Sequence, residues 1–410
     1  MTPLPRRPGP RAGRVLMVSR HSYPTHTFMR RNAEHLAGLG LQVDLICSGA
    51  RSDASRGGPP PAGLRVIRIP VRHRRGSPLL YLFEYAAFGI AAVAVATALT
   101  LRHAYLAMQV DNPPDLLVLS AVVARLRGVR VVLNLVELSP ELTAARLRVG
   151  PGHPLVRLNR LCERLAVSLS DHVVTVSETC LRIVSQRGLD PSRATVVPNG
   201  VQMPLAWASE MRIMPAAPQL VTQCSLIERY GVQIAIRALA ALRSEWPDLT
   251  LRVLGEGEYK PELVRLAEAL GVGDRVIFTG FLPWEEAMRQ VRASTIGLVT
   301  VIPDGYGELL LPTKLLEMVE QRVPVVCARL PAIVECFGET ALSYFTPGDP
   351  ASLAKNIDRL LRDAELRQVL ASRALAAAAG SRWAEVAGRY VAALMPVADA
   401  PLISGAADRC

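Results

Sequence analysis

Two successive series of short apolar runs, each run followed by a helical pattern, constrain this chain more than any other feature. In the first series the strand-like runs are Val15–Ser19, Val43–Cys47, Leu64–Ile69, Leu116–Ser120, Val131–Leu135, His172–Val176 and Thr195–Val197. Helical spacing appears between several of them, as in Phe28–Leu39 and Leu155–Leu169. Pro198-Asn199-Gly200 then makes a turn, and Met203–Pro218 is proline-containing and weakly periodic, as a linker is. The second series has strands near Leu220–Cys224, Leu249–Leu254, Arg275–Thr279, Ile296–Val301, Val323–Ala328 and Leu342–Phe345. Its helices fall near Val232–Glu245, Pro261–Leu270, Thr313–Glu320 and Pro350–Asp363, and the tail Arg367–Leu394 reads as helical. Alternating β and α elements predict an α/β protein with two doubly wound parallel sheets. Ligands of such folds bind at the carboxyl ends of the strands, here in a central cleft.

Composition agrees with buried parallel strands. Half of the 410 residues are hydrophobic but only 5% are aromatic, so the cores are built from Ala, Val, Leu and Ile. The net charge of +11 is carried by arginine, for Lys260, Lys314 and Lys355 are the only lysines. That balance either serves anionic partners or reflects the base composition of the gene. Nucleic acid is not expected as a partner, because no basic run is interleaved with aromatics and no zinc or helix-turn-helix spacing stands out. The seven cysteines are scattered, without a C-x-x-C pair, and read as small buried hydrophobes in a reducing compartment. The run Val15–Ser19 is too short for a signal peptide, so a cytoplasmic location is expected.

One segment raises the question of a membrane. Tyr85–Leu101 is uncharged over 17 residues, roughly 26 Å as a helix against an apolar bilayer core of about 30 Å. Seven of these residues are alanine, and a buried domain helix is the expectation. Just upstream, Arg65, Arg68, Arg72, Arg74 and Arg75 lie in a stretch without acids from Pro61 to Phe83. With Leu79–Phe83 following, this stretch is expected to dock peripherally on an anionic leaflet, the inner face of the cell membrane.

The densest polar signal in the second half is Asp304–Glu317, DGYGELLLPTKLLE. A strand enters a glycine-rich loop, Pro312 opens a helix, and Thr313 and Lys314 fall in its first turn. Free amides there, with a lysine, suit a diphosphate. A lysine is otherwise unfavourable at a helix N-terminus. Glu317 is one turn on and on the same face, where it can accept hydrogen bonds from sugar hydroxyls. Neither a G-x-G-x-x-G nor a G-x-x-x-x-G-K-[ST] motif is present.

The stretches SLIERYGVQIAIRAL, LRVLGEGEYKPELVRLAEALGVGDRVIFTGFLP, PTKLLEMVEQRVPVV and YFTPGDPASLAKNIDRLL resemble the C-terminal domain of family 4 retaining glycosyltransferases, which have the GT-B fold. YPTHTFMRRNAEHLAGLGLQVDLIC, NPPDLLVLSAVVARLRGVRVVLNLVELSPEL and VVPNGV fit the family's N-terminal domain. The resemblance runs from about Arg14 to Leu394 and implies two Rossmann-like domains. It places an acceptor-side domain at 14–200, a linker at 201–218, a nucleotide-sugar domain at 219–382, and a terminal helix at 383–396 returning to the first domain. It also implies a metal-independent, hexosyltransferase-type transfer from a nucleotide diphospho-sugar to a lipid-linked or soluble acceptor hydroxyl, with anomeric configuration kept. The nucleotide sugar is a co-substrate, and no cofactor or metal is expected.

Carried over residue by residue, Glu317 matches the ribose-binding glutamate. Lys314, together with Arg229, is expected to hold the diphosphate. Strict alignment puts Ser225 and Tyr230 at the family's paired basic positions near the first turn, so Arg229 is assigned there by proximity. Thr313 and Lys314 supply backbone donors, and Phe281 and Leu282 fall in the loop that lines the base. Three positions depart from the family pattern. Leu309 stands where a second glutamate is usual, and its neighbour Glu308 is the expected replacement as a catalytic residue beside Lys314 and Arg229. Val136 stands where a histidine is frequent, leaving Glu137 beside it either polar or structural. The first loop, SYPTHTF, lacks the usual glycine but carries His21 and His26, either acceptor-binding or ordinary loop histidines. Three readings follow: an active transferase in polysaccharide, glycolipid or glycosylated-metabolite synthesis; a non-catalytic nucleotide-binding or scaffolding partner on the same fold; and a nucleotide-sugar epimerase. The first is the expectation.

Overall fold

The computed structural model describes residues 13–49, 59–71, 78–201, 212 and 215–395, with the backbone alone for 78–82. Contacts divide the chain into two compact units. One holds the described residues of Met1–Val197 and Ala387–Cys410, the other those of Pro198–Val386.

The first unit contains β1 (Arg14–Ser22), β2 (Gln42–Ser48), β3 (Leu64–Ile69), β4 (Ala107–Asp111), β5 (Arg130–Leu135), β6 (His172–Thr175) and β7 (Ala194–Val196). They form one parallel sheet in the order β3-β2-β1-β4-β5-β6-β7. Its helices are α1 (Thr27–Gly38), α2 (Pro78–Arg102), α3 (Val122–Leu126), α4 (Ser139–Leu147), α5 (Pro154–Leu169) and α6 (Glu178–Ser185). Side chains alternate across the strands. Leu16, Val18, Met108 and Val110 meet Phe88, Ala92, Ala96 and Leu99 of α2 in one fully buried cluster.

The strand expected at Leu116–Ser120 is instead a 3-10 helix, Asp115–Ala121, and β4 precedes it. Pro113 and Pro114 lack N–H donors and end the ladder after Asn112. Beyond them Leu117, Ala121 and Ala124 recur at helical spacing and join the α2 cluster. A short apolar run alone does not distinguish the two structures.

Helix α2 is long and apolar enough to cross a membrane by length and composition, yet a third of that window is buried inside the unit. The expected buried helix is therefore buried on one face only: Phe88 is fully covered, whereas Phe83 and Ile90 are 69% and 74% exposed. In the basic stretch, Arg65 lies 3.9 Å from Asp44 and Arg68 donates to the Tyr23 carbonyl at 3.5 Å. Arg72, Arg74, Arg75 and the side chains of Leu79–Leu82 lie outside the described residues.

The second unit contains β8 (Gln219–Gln223), β9 (Thr250–Leu254), β10 (Val276–Gly280), β11 (Ile296–Val299), β12 (Val325–Ala328) and β13 (Ser343–Phe345). They too form a parallel sheet, in the order β10-β9-β8-β11-β12-β13. Its helices are α7 (Val232–Leu242), α8 (Lys260–Ala269), α9 (Trp284–Arg292), α10 (Thr313–Glu320), α11 (Pro331–Phe337), α12 (Pro350–Arg362) and α13 (Ala364–Ala377). Most of the expected linker lies outside the described residues. Arg212 within it donates to the carbonyls of Arg292, Arg322 and Thr295, pinning that point to the second unit.

The helical tail comprises two helices, the second beginning at Trp383 where the terminal helix is expected. A 3-10 turn, Ala379–Ser381, separates α13 from α14 (Trp383–Leu394), and the boundary between the units falls inside α14. Its C-terminal half belongs to the first unit, where the fully buried Tyr390 donates its hydroxyl to Gln109 Oε1 at 2.6 Å. Gln109 in turn donates to Asp111 Oδ1 at 2.7 Å. Tyr390→Phe removes this donor from a buried amide oxygen. Chemical denaturation is expected to show a loss of about 1–2 kcal/mol in the first unit.

Candidate functional site

Strands β8 and β11 are neighbours, but the chain leaves β8 toward β9 on one side and β11 toward β12 on the other. The loops after these two strands therefore diverge, which leaves a crevice at their carboxyl ends. The loop after β8 runs through the 3-10 turn Glu228–Tyr230 to Gly231 at φ +69°. A Cβ at Gly231 would stand 1.8 Å from the Thr300 carbonyl oxygen, so only glycine permits this approach of the two loops. They are joined by Thr300 Oγ1 donating to the Tyr230 carbonyl at 2.9 Å and Ile302 N donating to the Arg229 carbonyl at 2.8 Å.

Into this crevice points the N-terminus of α10. No side chain caps it, so the first-turn amides of Thr313 and Lys314 have no acceptor within the helix. Lys314 is 8% exposed, and its Nζ stands 3.6 Å from the centre of the Tyr230 ring. It has no hydrogen bond or salt bridge among the described residues. Burial pushes its pKa down, against the opposing charges of Cys224, Cys327 and Glu317. A buried ammonium and free amides at the positive end of a helix together favour an anion.

Glu317, one turn on, is also buried and accepts from the Trp284 indole N–H at 2.9 Å. Burial raises its pKa, while hydrogen bonds from Trp284 and Gln223 and the charge of Lys314 oppose the rise. Trp284 opens α9, three residues beyond Phe281, and sequence reasoning missed it. Its indole can only donate, so its bond fixes one carboxylate oxygen. Phe281 itself is 80% exposed, and Leu282 packs on the core of the unit.

The structure uses Glu308 and Arg229 differently from expectation. Glu308 Oε2 accepts from the backbone N–H groups of Asp304 and Gly305 at 3.1 and 2.9 Å. Asp304 Oδ1 accepts from Tyr306 and Gly307 at 3.2 and 2.8 Å, so the two carboxylates close the loop reciprocally. Arg229 pairs with Asp304 through Nε and lies over the Tyr306 ring, 5.0 Å from its centre. Both residues brace the loop ahead of α10.

In the first unit, His26 caps α1 by accepting from Met29 N at 3.4 Å, and His21 stacks on it with ring centres 3.7 Å apart. Burial lowers the pKa of His21 to about 4 and of His26 to about 3. Glu137 stands in a different loop, after β5, where Asn112 holds the backbone. Asn112 Oδ1 accepts from Val136 N and Glu137 N at 2.7 and 3.1 Å, and its amide donates to the Glu137 carbonyl at 2.7 Å. Histidines and Glu137 are thus placed on separate elements, with Asn112 the organising residue that sequence reasoning missed.

Two family models match: a glycosyl transferase 4-like domain over residues 25–200 and glycosyl transferases group 1 over 217–363. The chain belongs to glycosyltransferase family 4. A D-inositol 3-phosphate glycosyltransferase of Acidothermus cellulolyticus is 26% identical, the alignment covering 90% of this chain and 87% of the relative. A 2-deoxystreptamine glucosyltransferase of Streptomyces kanamyceticus is 25% identical over 60% of this chain and 66% of the relative. Among solved structures, the sucrose-phosphate synthase of Thermosynechococcus elongatus superposes with a TM-score of 0.68 at 17% identity, covering 92% of this chain and 97% of that one. Anabaena HepE, solved with UDP-glucose, gives 0.67 at 19% over 92% and 98%. The two parallel-sheet α/β domains are those of the GT-B fold.

Within this glycosyltransferase, Lys314 is a buried cation with no carboxylate at salt-bridge distance among the described residues. Lys314→Met is expected to raise the stability of the ligand-free protein by about 1–2 kcal/mol, read from thermal unfolding. A second expectation concerns the stacked histidines. Their folded pKa values lie below the unfolded 6.5, so the unfolded chain binds more protons as pH falls below that value. Denaturation between pH 7 and 5 should show the first unit losing about 2 kcal/mol per histidine by pH 5, and His21→Phe should remove about half of the loss.

Proposed function

We propose that this glycosyltransferase is a retaining, hexosyltransferase-type enzyme that takes its sugar from a nucleotide diphospho-sugar, without a metal, and delivers it to an acceptor hydroxyl. The observation that carries the reading is Lys314: buried, without a carboxylate partner, at an uncapped helix N-terminus, with Glu317 one turn beyond. A diphosphate placed there meets the ammonium and the amides of Thr313 and Lys314. These fixed charges stabilise the negative charge that develops on the leaving nucleoside diphosphate as the bond to the sugar breaks. Glu317, oriented by hydrogen bonds from Trp284 and Gln223, is the group that would accept from ribose hydroxyls through its remaining lone pairs.

The relatives named for D-inositol 3-phosphate and 2-deoxystreptamine make those two compounds the first acceptors to screen. The reaction is placed in the cytoplasm, at the inner face of the cell membrane, in polysaccharide, glycolipid or glycosylated-metabolite synthesis. A second reading, nucleotide binding without transfer, is favoured by one observation: Glu308 and Arg229 are tied into their own loop while Leu309 and Val136 replace the usual polar residues.

Nucleoside diphosphate binding and nucleotide-sugar turnover test both readings. Lys314→Ala is expected to weaken UDP, GDP or ADP and inorganic pyrophosphate alike, by about ten- to a hundredfold. Glu317→Gln should weaken the nucleotide but leave pyrophosphate unchanged. Turnover lost in both variants supports the transferase. Wild-type binding with no sugar released to any acceptor supports the binding reading, and binding indifferent to Lys314→Ala overturns the site.

A further inference from the structure

From β1 the sheet of the first unit runs through β4, β5 and β6 in one direction. Right-handed crossovers therefore place α2, the Asp115–Ala121 turn, α3, α4 and α5 on one face, opposite α1. Contacts agree: α2 packs on the 3-10 turn, the turn on α5, and α5 on α4. The inner side of this layer forms the core with Phe88 and Leu117.

Its outer side is apolar. Eleven of the fourteen large hydrophobic side chains exposed among the described residues lie between Phe83 and Leu165, which makes this layer the exception on the surface. On α5, Leu155, Leu158, Leu161 and Leu165 are 48%, 53%, 64% and 39% exposed and form one stripe along the helix. Arg157 and Arg164 are exposed beside that stripe. Phe83 and Ile90 of α2, Leu116 and Leu119 of the 3-10 turn and Leu126 of α3 extend the apolar surface.

Charge identifies what such a face fits. Between Phe83 and Ser170 every exposed charged side chain is an arginine. The acids of that stretch are buried or half-buried, and Glu141 and Glu163 are both held by Arg187. A second copy of this chain on the same face would bring arginines to arginines across a two-fold axis. An anionic bilayer offers acyl chains to the leucines and phosphates to the arginines.

We propose that the outer face of this helical layer, centred on α5, is a monotopic docking surface for an anionic lipid bilayer. The leucine stripe enters the boundary between headgroups and acyl chains, and Arg157 and Arg164 pair with lipid phosphates. The surface differs from the basic stretch Arg65–Phe83 and shares with the proposed function only its membrane location.

Sedimentation of the full chain with vesicles tests it. The wild type should bind vesicles of phosphatidylcholine with phosphatidylglycerol, more weakly as salt rises, and bind phosphatidylcholine alone poorly. Leu158→Gln with Leu161→Gln should lower partitioning onto the anionic vesicles by about tenfold or more. Arg157→Gln with Arg164→Gln should lower it by about tenfold. Both pairs should keep the circular dichroism spectrum and the nucleotide affinity of the wild type. Anionic-vesicle binding unchanged in both pairs overturns the surface. So does failure of the wild type to bind, or a wild-type dimer in light scattering that the leucine pair turns into monomer. Failure of sugar transfer by the wild type with soluble acceptors bears on the transferase reading alone.

Discussion

The ammonium of Lys314 is the group on which the crevice of the second unit turns. A parallel sheet whose first strand has its successors on opposite sides must open a crevice at that strand's carboxyl end. The N-terminus of α10 points into this crevice, and its sequence adds a cation where the helix dipole is already positive. Burial adds a further cost. Among the described residues, the face of Tyr230 and the charges of Cys224, Cys327 and Glu317 oppose that cost. Such an arrangement is stable only because the surrounding fold holds it, and the proposed function gives the cation an anion to meet.

The neighbouring loops serve that arrangement. Gly231 lets the β8 loop touch the β11 loop, and the hydrogen bonds from Thr300 and Ile302 hold them together. Asp304 and Glu308 tie off the glycine-rich turn, and Arg229 fastens it from the β8 side. These carboxylates satisfy backbone donors that a tight turn leaves orphaned, which is the more general use of Asp and Glu in loops. Trp284, arriving from a third element, sets the direction of Glu317.

The first unit is organised on the same principle with different groups. Tyr390, Gln109 and Asp111 form a buried chain of hydrogen bonds that secures α14 to the sheet. Asn112 fastens the loop after β5 to the end of β4. The outer surface of its helical layer departs from the rule that polar residues face solvent, and it does so over adjoining elements with one sign of exposed charge. A single exposed leucine would need no explanation; a continuous cationic and apolar face does.

Alternation of apolar runs with helical patterns, the break after Pro198 and the spacing of Thr313, Lys314 and Glu317 were legible in the sequence, because each is a property of residues within a few positions of one another. Those features determined two doubly wound sheets, and the longer stretches that resemble family 4 glycosyltransferases pointed to the family. The strand Ala107–Asp111 escaped because a short apolar run after two prolines looks equally strand-like. What the tertiary structure alone decided is which polar groups are already satisfied. Trp284 reaches Glu317 across 33 positions and Tyr390 reaches Gln109 across 281. Glu308 satisfies amides of its own loop only because the chain folds there into that turn. Burial and hydrogen-bond satisfaction depend on the whole packing, so no local pattern could show that, among the described residues, Arg229 is salt-bridged and Lys314 is not.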